Sequence, residues 1–220
     1  MNQEAAVFLV DDDDGVRQSL EFILANVGEP VVSFSSPADL LANYDVDRPG
    51  CLVLDLKLPQ MDGLELWSEL RKRGGYHPCI IITGHGTVSD AVEAFRSGAV
   101  DFLEKPFHHE VLVERVRAAL EYDKEQRASR LRHDALQSKL SQLTPRERQV
   151  LDLVLDGKLS KQIARELNIT TKTVEVHRSN VTRKMEVGSV AQLFKQMNDH
   201  LSKLTDLTSV RNVDRHDTPR

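Results

Sequence analysis

Four acids in a row, Asp11-Asp12-Asp13-Asp14, follow the apolar run Val7-Phe8-Leu9-Val10. Asp55 follows a second run, Leu52-Val53-Leu54, and Thr83 follows a third, Ile80-Ile81-Ile82. Lys105-Pro106 comes just after a fourth and weaker one, Val100–Leu103. Carboxylates drawn from separate segments into one pocket repel each other unless a cation sits among them. Oxygen ligands suit a hard ion, and magnesium takes one or two carboxylates while keeping several waters. With the negative charge lowered in this way, a carboxylate can attack phosphorus as a nucleophile. In-line phosphoryl transfer asks mainly for positioning and charge neutralisation. Lys105 can neutralise one oxygen of the transferred group, and the Thr83 hydroxyl can donate to another. Asp13 and Asp14 are expected to serve mainly as N-capping groups of the following helix.

These groups meet only if the runs are neighbouring strands. Short apolar runs without alternation suit parallel strands buried on both faces, and Val31–Phe34, which alternates, suits a strand nearer an edge. Between the runs lie helical periods: Val16, Leu20, Ile23, Leu24 and Val27; Leu64, Leu66, Trp67 and Leu70; Val88, Ala91, Val92 and Phe95; Val111, Leu112, Val116 and Leu120. The expected fold is α/β, a doubly wound, flavodoxin-like five-stranded parallel sheet over residues 1–122. Ligands of such sheets bind at the carboxyl ends of the strands, where Asp11, Asp12, Asp55, Thr83 and Lys105 stand.

Residues 123–143 contain no Gly or Pro and are rich in charge. They read as a solvated helical linker that could continue the helix beginning near His109. From Thr144-Pro145 the pattern is all-helical. Thr144 fits an N-cap, Pro145 the first helical position and Glu147 a capping box. Four short helices over 144–200 make an all-α bundle, the last from about Ser189 to Met197, and 201–220 reads as a disordered tail.

The 220 residues carry a net charge of −5, which as an average argues against nucleic acid. The average hides a division. Residues 1–123 hold 22 Asp and Glu against 10 Lys and Arg, and the remainder holds 12 against 19, giving −12 and +7. Within 144–200 the balance is only +3, so unaided affinity for DNA should be modest and pairing of two such domains would help. No apolar run reaches the ~18 residues of a membrane span, and with no basic residue in Met1–Glu4 and an apolar run only from Val7 to Val10, no signal segment is expected. Two cysteines cannot build a disulfide framework, and Cys51 and Cys79 read as buried inert thiols. A reducing cytoplasm is the expected compartment.

The segments Val7–Asp13, Leu54–Gly63, Ile82-Thr83-Gly84-His85-Gly86 and Leu103–Phe107 together resemble the receiver domain of two-component response regulators. The resemblance covers about residues 4–122. It implies that Asp55 accepts a phosphoryl group from a sensor histidine kinase. It also implies that Asp12 and Asp55 bind Mg2+ directly, with the Lys57 backbone carbonyl as third ligand and Asp11 acting through water. Thr83 and Phe102 would form the family's switch pair, the Lys105–Pro106 peptide would be cis, and the surface of residues 87–103 with the helix near 109–120 would dimerise on phosphorylation. His85 is expected to be structural.

Ser160–Leu167, the turn Asn168-Ile169-Thr170 and Thr171–Val181 are spaced as a helix-turn-helix. Val174, Val181 and Met185 would face the bundle. A recognition helix reads base edges near its N-terminus and grips phosphate with its flanks. That leaves Thr171, Lys172, Thr173, Glu175, Val176, Arg178, Ser179 and Arg183 as candidate DNA contacts, with Lys161 on phosphate and Arg178 able to reach guanine. Residues 140–200 resemble the LuxR-type helix-turn-helix, and the whole chain resembles a FixJ-like response regulator. The family often has Ser-Asn-Lys before the second helix, where this chain has Leu159-Ser160-Lys161; Ser160 is expected still to cap it.

The expected function is a cytoplasmic regulator whose binding of double-stranded promoter DNA is switched at Asp55, with RNA polymerase as a further partner. One rival is a magnesium-dependent aspartyl phosphatase. It lacks the second acid two residues after Asp55, where Lys57 stands. The other is a constitutive DNA binder whose first domain only dimerises.

Overall fold

In a computed structural model, residues 4–84, 86–189 and 192 are described, and they divide into two compact units, 1–128 and 129–220. The first unit holds β1 (Ala6–Val10), α1 (Asp14–Leu24), β2 (Val31–Phe34), α2 (Pro37–Asn43), β3 (Gly50–Asp55), α3 (Gly63–Lys72), β4 (Cys79–Thr83), α4 (Val88–Arg96) and β5 (Asp101–Glu104). Helix α5 (His109–Ser141) begins in the first unit and ends in the second, which continues with α6 (Pro145–Leu155), α7 (Ser160–Glu166) and α8 (Thr171–Lys184).

All strand pairings are parallel and the order is β2-β1-β3-β4-β5. Every residue of β1, β3 and β4 is buried, as unalternating apolar runs require of central strands. Their side chains divide between two faces. Phe8, Val10, Leu52, Leu54 and Ile81 meet Leu40, Leu66, Trp67 and Leu70 of α2 and α3. Val7, Leu9, Val53, Ile80 and Ile82 meet Leu20, Ile23 and Leu24 of α1 and Leu112, Val116 and Ala119 of α5. At roughly 1.5–3 kcal/mol per buried aliphatic side chain, these faces supply most of the driving force for folding the unit. Cys79 belongs to the first face and Cys51 to the second, so the sheet lies between the two thiols and they form no redox pair. Burial pushes both thiols well above their ordinary range.

Helix α2 was not singled out by periodicity. It is only seven residues long, and its start is set by Ser36, whose hydroxyl accepts from the Asp39 N–H, and by Pro37 at the first position.

The second unit has two small cores. Leu136, Leu140 and Leu143 pack with Leu151, Val181 and Met185, while Val150, Val154, Ile163, Ala164 and Val174 form the other. The expected solvated linker thus buries three leucines at its C-terminal end. Thr144 and Glu147 make the capping box of α6 as expected. Ser160 does not cap α7. It is the first helical residue, and the backbone N–H of Leu159 is met instead by Gln162 Oε1 at 2.8 Å. Thr170 caps α8, accepting from the Thr173 N–H at 3.1 Å. The expected last helix, residues 189–197, and the tail lie outside the described residues apart from 189 and 192.

Candidate functional site

The carboxyl ends of β1, β3, β4 and β5 place the polar groups anticipated there on neighbouring strands. Lys105 Nζ stands 2.8 Å from Asp11 Oδ2 and 2.8 Å from Asp55 Oδ1. One ammonium therefore joins two carboxylates that are almost wholly buried. The free oxygen of each is held by a backbone amide: Asp13 N–H donates to Asp11 Oδ1 at 3.0 Å and Lys57 N–H to Asp55 Oδ2 at 2.8 Å. The Lys105–Pro106 peptide is cis. Burial pushes the Asp11 carboxyl above its ordinary value, against the opposing pull of Lys105. Burial works to lower the Lys105 ammonium, but its bonds to Asp11 and Asp55 outweigh this and raise it.

Asp12 is exposed beside this pair, while Thr83 is fully buried at the end of β4. Asp13 is the N-cap of α1, accepting from the N–H groups of Gly15 and Val16, and Asp14 opens the helix and pairs with Arg17. Among the described residues no group of three or more His, Cys, Asp or Glu side chains stands ready to hold a metal ion. The set implied by the receiver resemblance needs only two direct carboxylates, a carbonyl and water, which is how Mg2+ is commonly held. The donors are all hard oxygen, so the residues fit that ion.

Two residues of this end escaped the sequence reading. Arg17 Nη1 donates to the Asp11 carbonyl at 2.9 Å and so braces the acidic loop; its spacing of three from Asp14 on α1 was the available signal. Gly86 lies against Thr83 and Phe102: a Cβ there would fall 2.8 Å from Thr83 Cγ2 and 3.0 Å from the Phe102 ring. Thr83 and Phe102 share one face of the sheet, since Ile81 pairs with Phe102 and Thr83 is two residues on. Phe102 is half-buried against the α3 face. His85 lies outside the described residues.

In the second unit α7 leads through Asn168, at φ 51° in the left-handed region that asparagine tolerates, into α8. Lys161, Thr171, Lys172, Glu175, Val176, Ser179 and Arg183 are exposed, whereas Thr173 and Arg178 are half-buried. Arg178 Nη1 reaches back to Ser160 Oγ at 3.4 Å, which places its guanidinium against α7. Val174, Val181 and Met185 are buried as expected.

Comparison with known proteins adds a second line. Residues 7–117 match the response regulator receiver domain, and residues 141–197 match the luxR family of bacterial regulatory proteins. The chain is 42% identical to the transcriptional regulatory protein FixJ of Azorhizobium caulinodans, over 89% of this chain and 92% of that one. It is 40% identical to the response regulator protein TodT of Pseudomonas putida, over 88% and 86%. Among solved structures it is similar to the response regulator StyR, with a TM-score of 0.80, 38% identity, and 89% of this chain and 99% of that one covered. Full-length FixJ from B. japonicum superposes with a TM-score of 0.54 at 36% identity, covering 88% and 96%.

Proposed function

The chain belongs to the response regulators that join a receiver domain to a LuxR-type DNA-binding domain, and from that premise we propose that Asp55 is its phospho-acceptor and that phosphorylation there controls its binding of promoter DNA. The family is one of two-component transcription regulators, not of enzymes. Its receiver domain implies a histidine kinase as partner and its LuxR-type domain implies DNA.

The observation that carries the reading is the single ammonium of Lys105 shared by Asp11 and Asp55 at the carboxyl end of the sheet. An Asp55 oxygen attacks phosphorus, the bond from phosphorus to the donor's histidine nitrogen breaks, and the electron pair leaves with that nitrogen. Lys105 is in place to neutralise one oxygen of the incoming group, and the Thr83 hydroxyl to donate to another. Receiver domains generally bind Mg2+ at this site. Here Asp12, Asp55 and the Lys57 carbonyl would hold the ion, with Asp11 acting through water. When bound, it offsets the carboxylate charge and lowers the repulsion met by the phosphoryl oxygens.

The new group draws Thr83 toward it, and Phe102 turns into the space vacated, which repacks the α4–β5 surface. That surface exposes Val88, Val92 and Phe95 on one side of α4, together with Val100. Pairing of two copies through it brings two LuxR-type domains to one DNA, where Lys161, Thr171, Lys172, Thr173, Glu175, Val176, Ser179 and Arg183 make contact. Arg178 joins them once released from Ser160. RNA polymerase is the partner met at the promoter, and the cytoplasm is where kinase and DNA are both reached. No helix of the described residues is long and apolar enough to cross a membrane. Incubation with acetyl phosphate and Mg2+ followed by intact-mass measurement tests the acceptor. One phosphoryl group is expected on the native chain and none on Asp55→Asn, and undiminished uptake by the variant would place the acceptor elsewhere.

A further inference from the structure

The strand that ends at Asp55 begins at Gly50, and around that opposite end lies a buried polar network that phosphoryl transfer does not use. Asp123 of α5 is 1% exposed. Its Oδ2 accepts from the Gly50 N–H at 3.0 Å and from Arg127 Nε at 2.7 Å. Arg127 also donates to the carbonyls of Asp47 at 3.0 Å, Arg48 at 3.1 Å and Val46 at 3.3 Å. Its Nη2 lies 2.9 Å from Nε2 of the buried His77, whose Nδ1 is bonded to the Tyr44 hydroxyl. Glycine at this position is required by the neighbouring strand: a Cβ on residue 50 would fall 2.1 Å from the Ala6 carbonyl oxygen.

The position of this network on α5 gives it meaning. Leu112, Val116, Ala119 and Leu120 are the helix's contribution to the α1 face of the core. Past Leu120 the helix would leave the sheet, and Asp123 and Arg127 instead tie its next two turns to the base of the receiver. The guanidinium gives Asp123 only its Nε–H and its other donors go to the carbonyls of residues 46–48, so a shift of one residue would carry both groups off their partners.

We propose that Asp123 and Arg127 are positioning residues that keep the linker helix clamped to the receiver in both the resting and the phosphorylated state. Pairing of receivers then reaches the DNA-binding domains through a helix that does not detach. The inference rests on the reading that phosphorylation at Asp55 controls DNA binding.

The test uses the full chain with and without beryllofluoride and Mg2+. It follows hydrogen exchange of amides 121–128 and affinity for a DNA fragment that the beryllofluoride-treated native protein selects from a random pool. The double variant Asp123→Asn with Arg127→Gln opens the clamp without burying an unpaired charge. Arg127→Lys, which keeps the ion pair but cannot span the three carbonyls, serves if the double variant does not fold. In the native protein, protection of 121–128 should be the same in both states. In the double variant, protection should be lost and the beryllofluoride-dependent gain in DNA affinity should fall by about tenfold or more, because the effective concentration of the second domain drops. Phosphoryl uptake from acetyl phosphate should not change, and Arg127→Lys should fall between. Loss of protection in the native protein on adding beryllofluoride would overturn the proposal, as would a folded variant that keeps its full gain. Absence of any gain in the native protein would instead defeat the switching role given to Asp55, and the clamp's role with it.

Discussion

Lys105 Nζ lies 2.8 Å from Asp55 Oδ1 while donating equally closely to Asp11. The ammonium thus stands in for part of the charge that a bound cation would neutralise. With Mg2+ bound as proposed, lysine and the ion would compete electrostatically for the same carboxylates. Lys105→Gln should unfold at a lower temperature than the native chain in EDTA, because two buried carboxylates lose their shared partner. Mg2+ should then raise its melting temperature by more than it raises that of the native chain. Equal Mg2+-induced shifts in the two proteins would separate the lysine from the metal site.

Gly86 offers a direct handle on the Thr83–Phe102 pair. Gly86→Ala puts a methyl group 2.8 Å from Thr83 Cγ2 and 3.0 Å from the Phe102 ring, so one of them must move. Overpacking of this kind costs about 1–3 kcal/mol. Urea denaturation should show that loss, and beryllofluoride should promote dimers less effectively than in the native chain. An unchanged denaturation midpoint would mean that the pair has slack.

The DNA-binding domain should be acid-sensitive through Glu147. Burial works to raise this carboxyl, but it is outweighed by the hydrogen bond and charge of Lys184 and by its capping bonds with Thr144, so the pKa lies below the ordinary 4.5. A depressed folded value means the contribution to stability is present above 4.5 and is lost as the pH falls below it toward the folded value. Thermal melts of Glu147→Gln and the native chain should therefore differ most at neutral pH and converge in acid. Parallel curves across that range would remove Glu147 from the account.

Dimerisation through α4 makes a separate claim. Val88, Val92 and Phe95 are 84%, 44% and 52% exposed and follow one helical stripe. Phe95→Asp should leave phosphoryl uptake intact and keep the protein monomeric with beryllofluoride in sedimentation experiments. Dimers of undiminished strength would move the interface elsewhere.

Much of this was legible in residue order because the signals are local. Apolar runs ending in Asp11, Asp55 and Thr83 name both the buried strands and the polar groups at their ends, and Thr144-Pro145 with Glu147 states a helix start outright. What escaped depends on partners remote in the chain. Asp123 and Arg127 look like a solvated pair four apart on a helix, and only the fold brings Gly50, 73 residues away, to the same carboxylate. Arg178 falls on the outward face by helical period, yet its guanidinium meets Ser160 of α7, a partner 18 residues away.

A phosphoryl group on Asp55 is proposed to govern DNA binding. The most direct measurement is the affinity of the full chain for its selected DNA fragment, with and without acetyl phosphate and Mg2+, beside Asp55→Asn under the same conditions. Tighter binding by the phosphorylated native chain and no response in the variant are expected. Equal affinity of the native chain in both states, with phosphorylation verified by mass, would contradict the proposal.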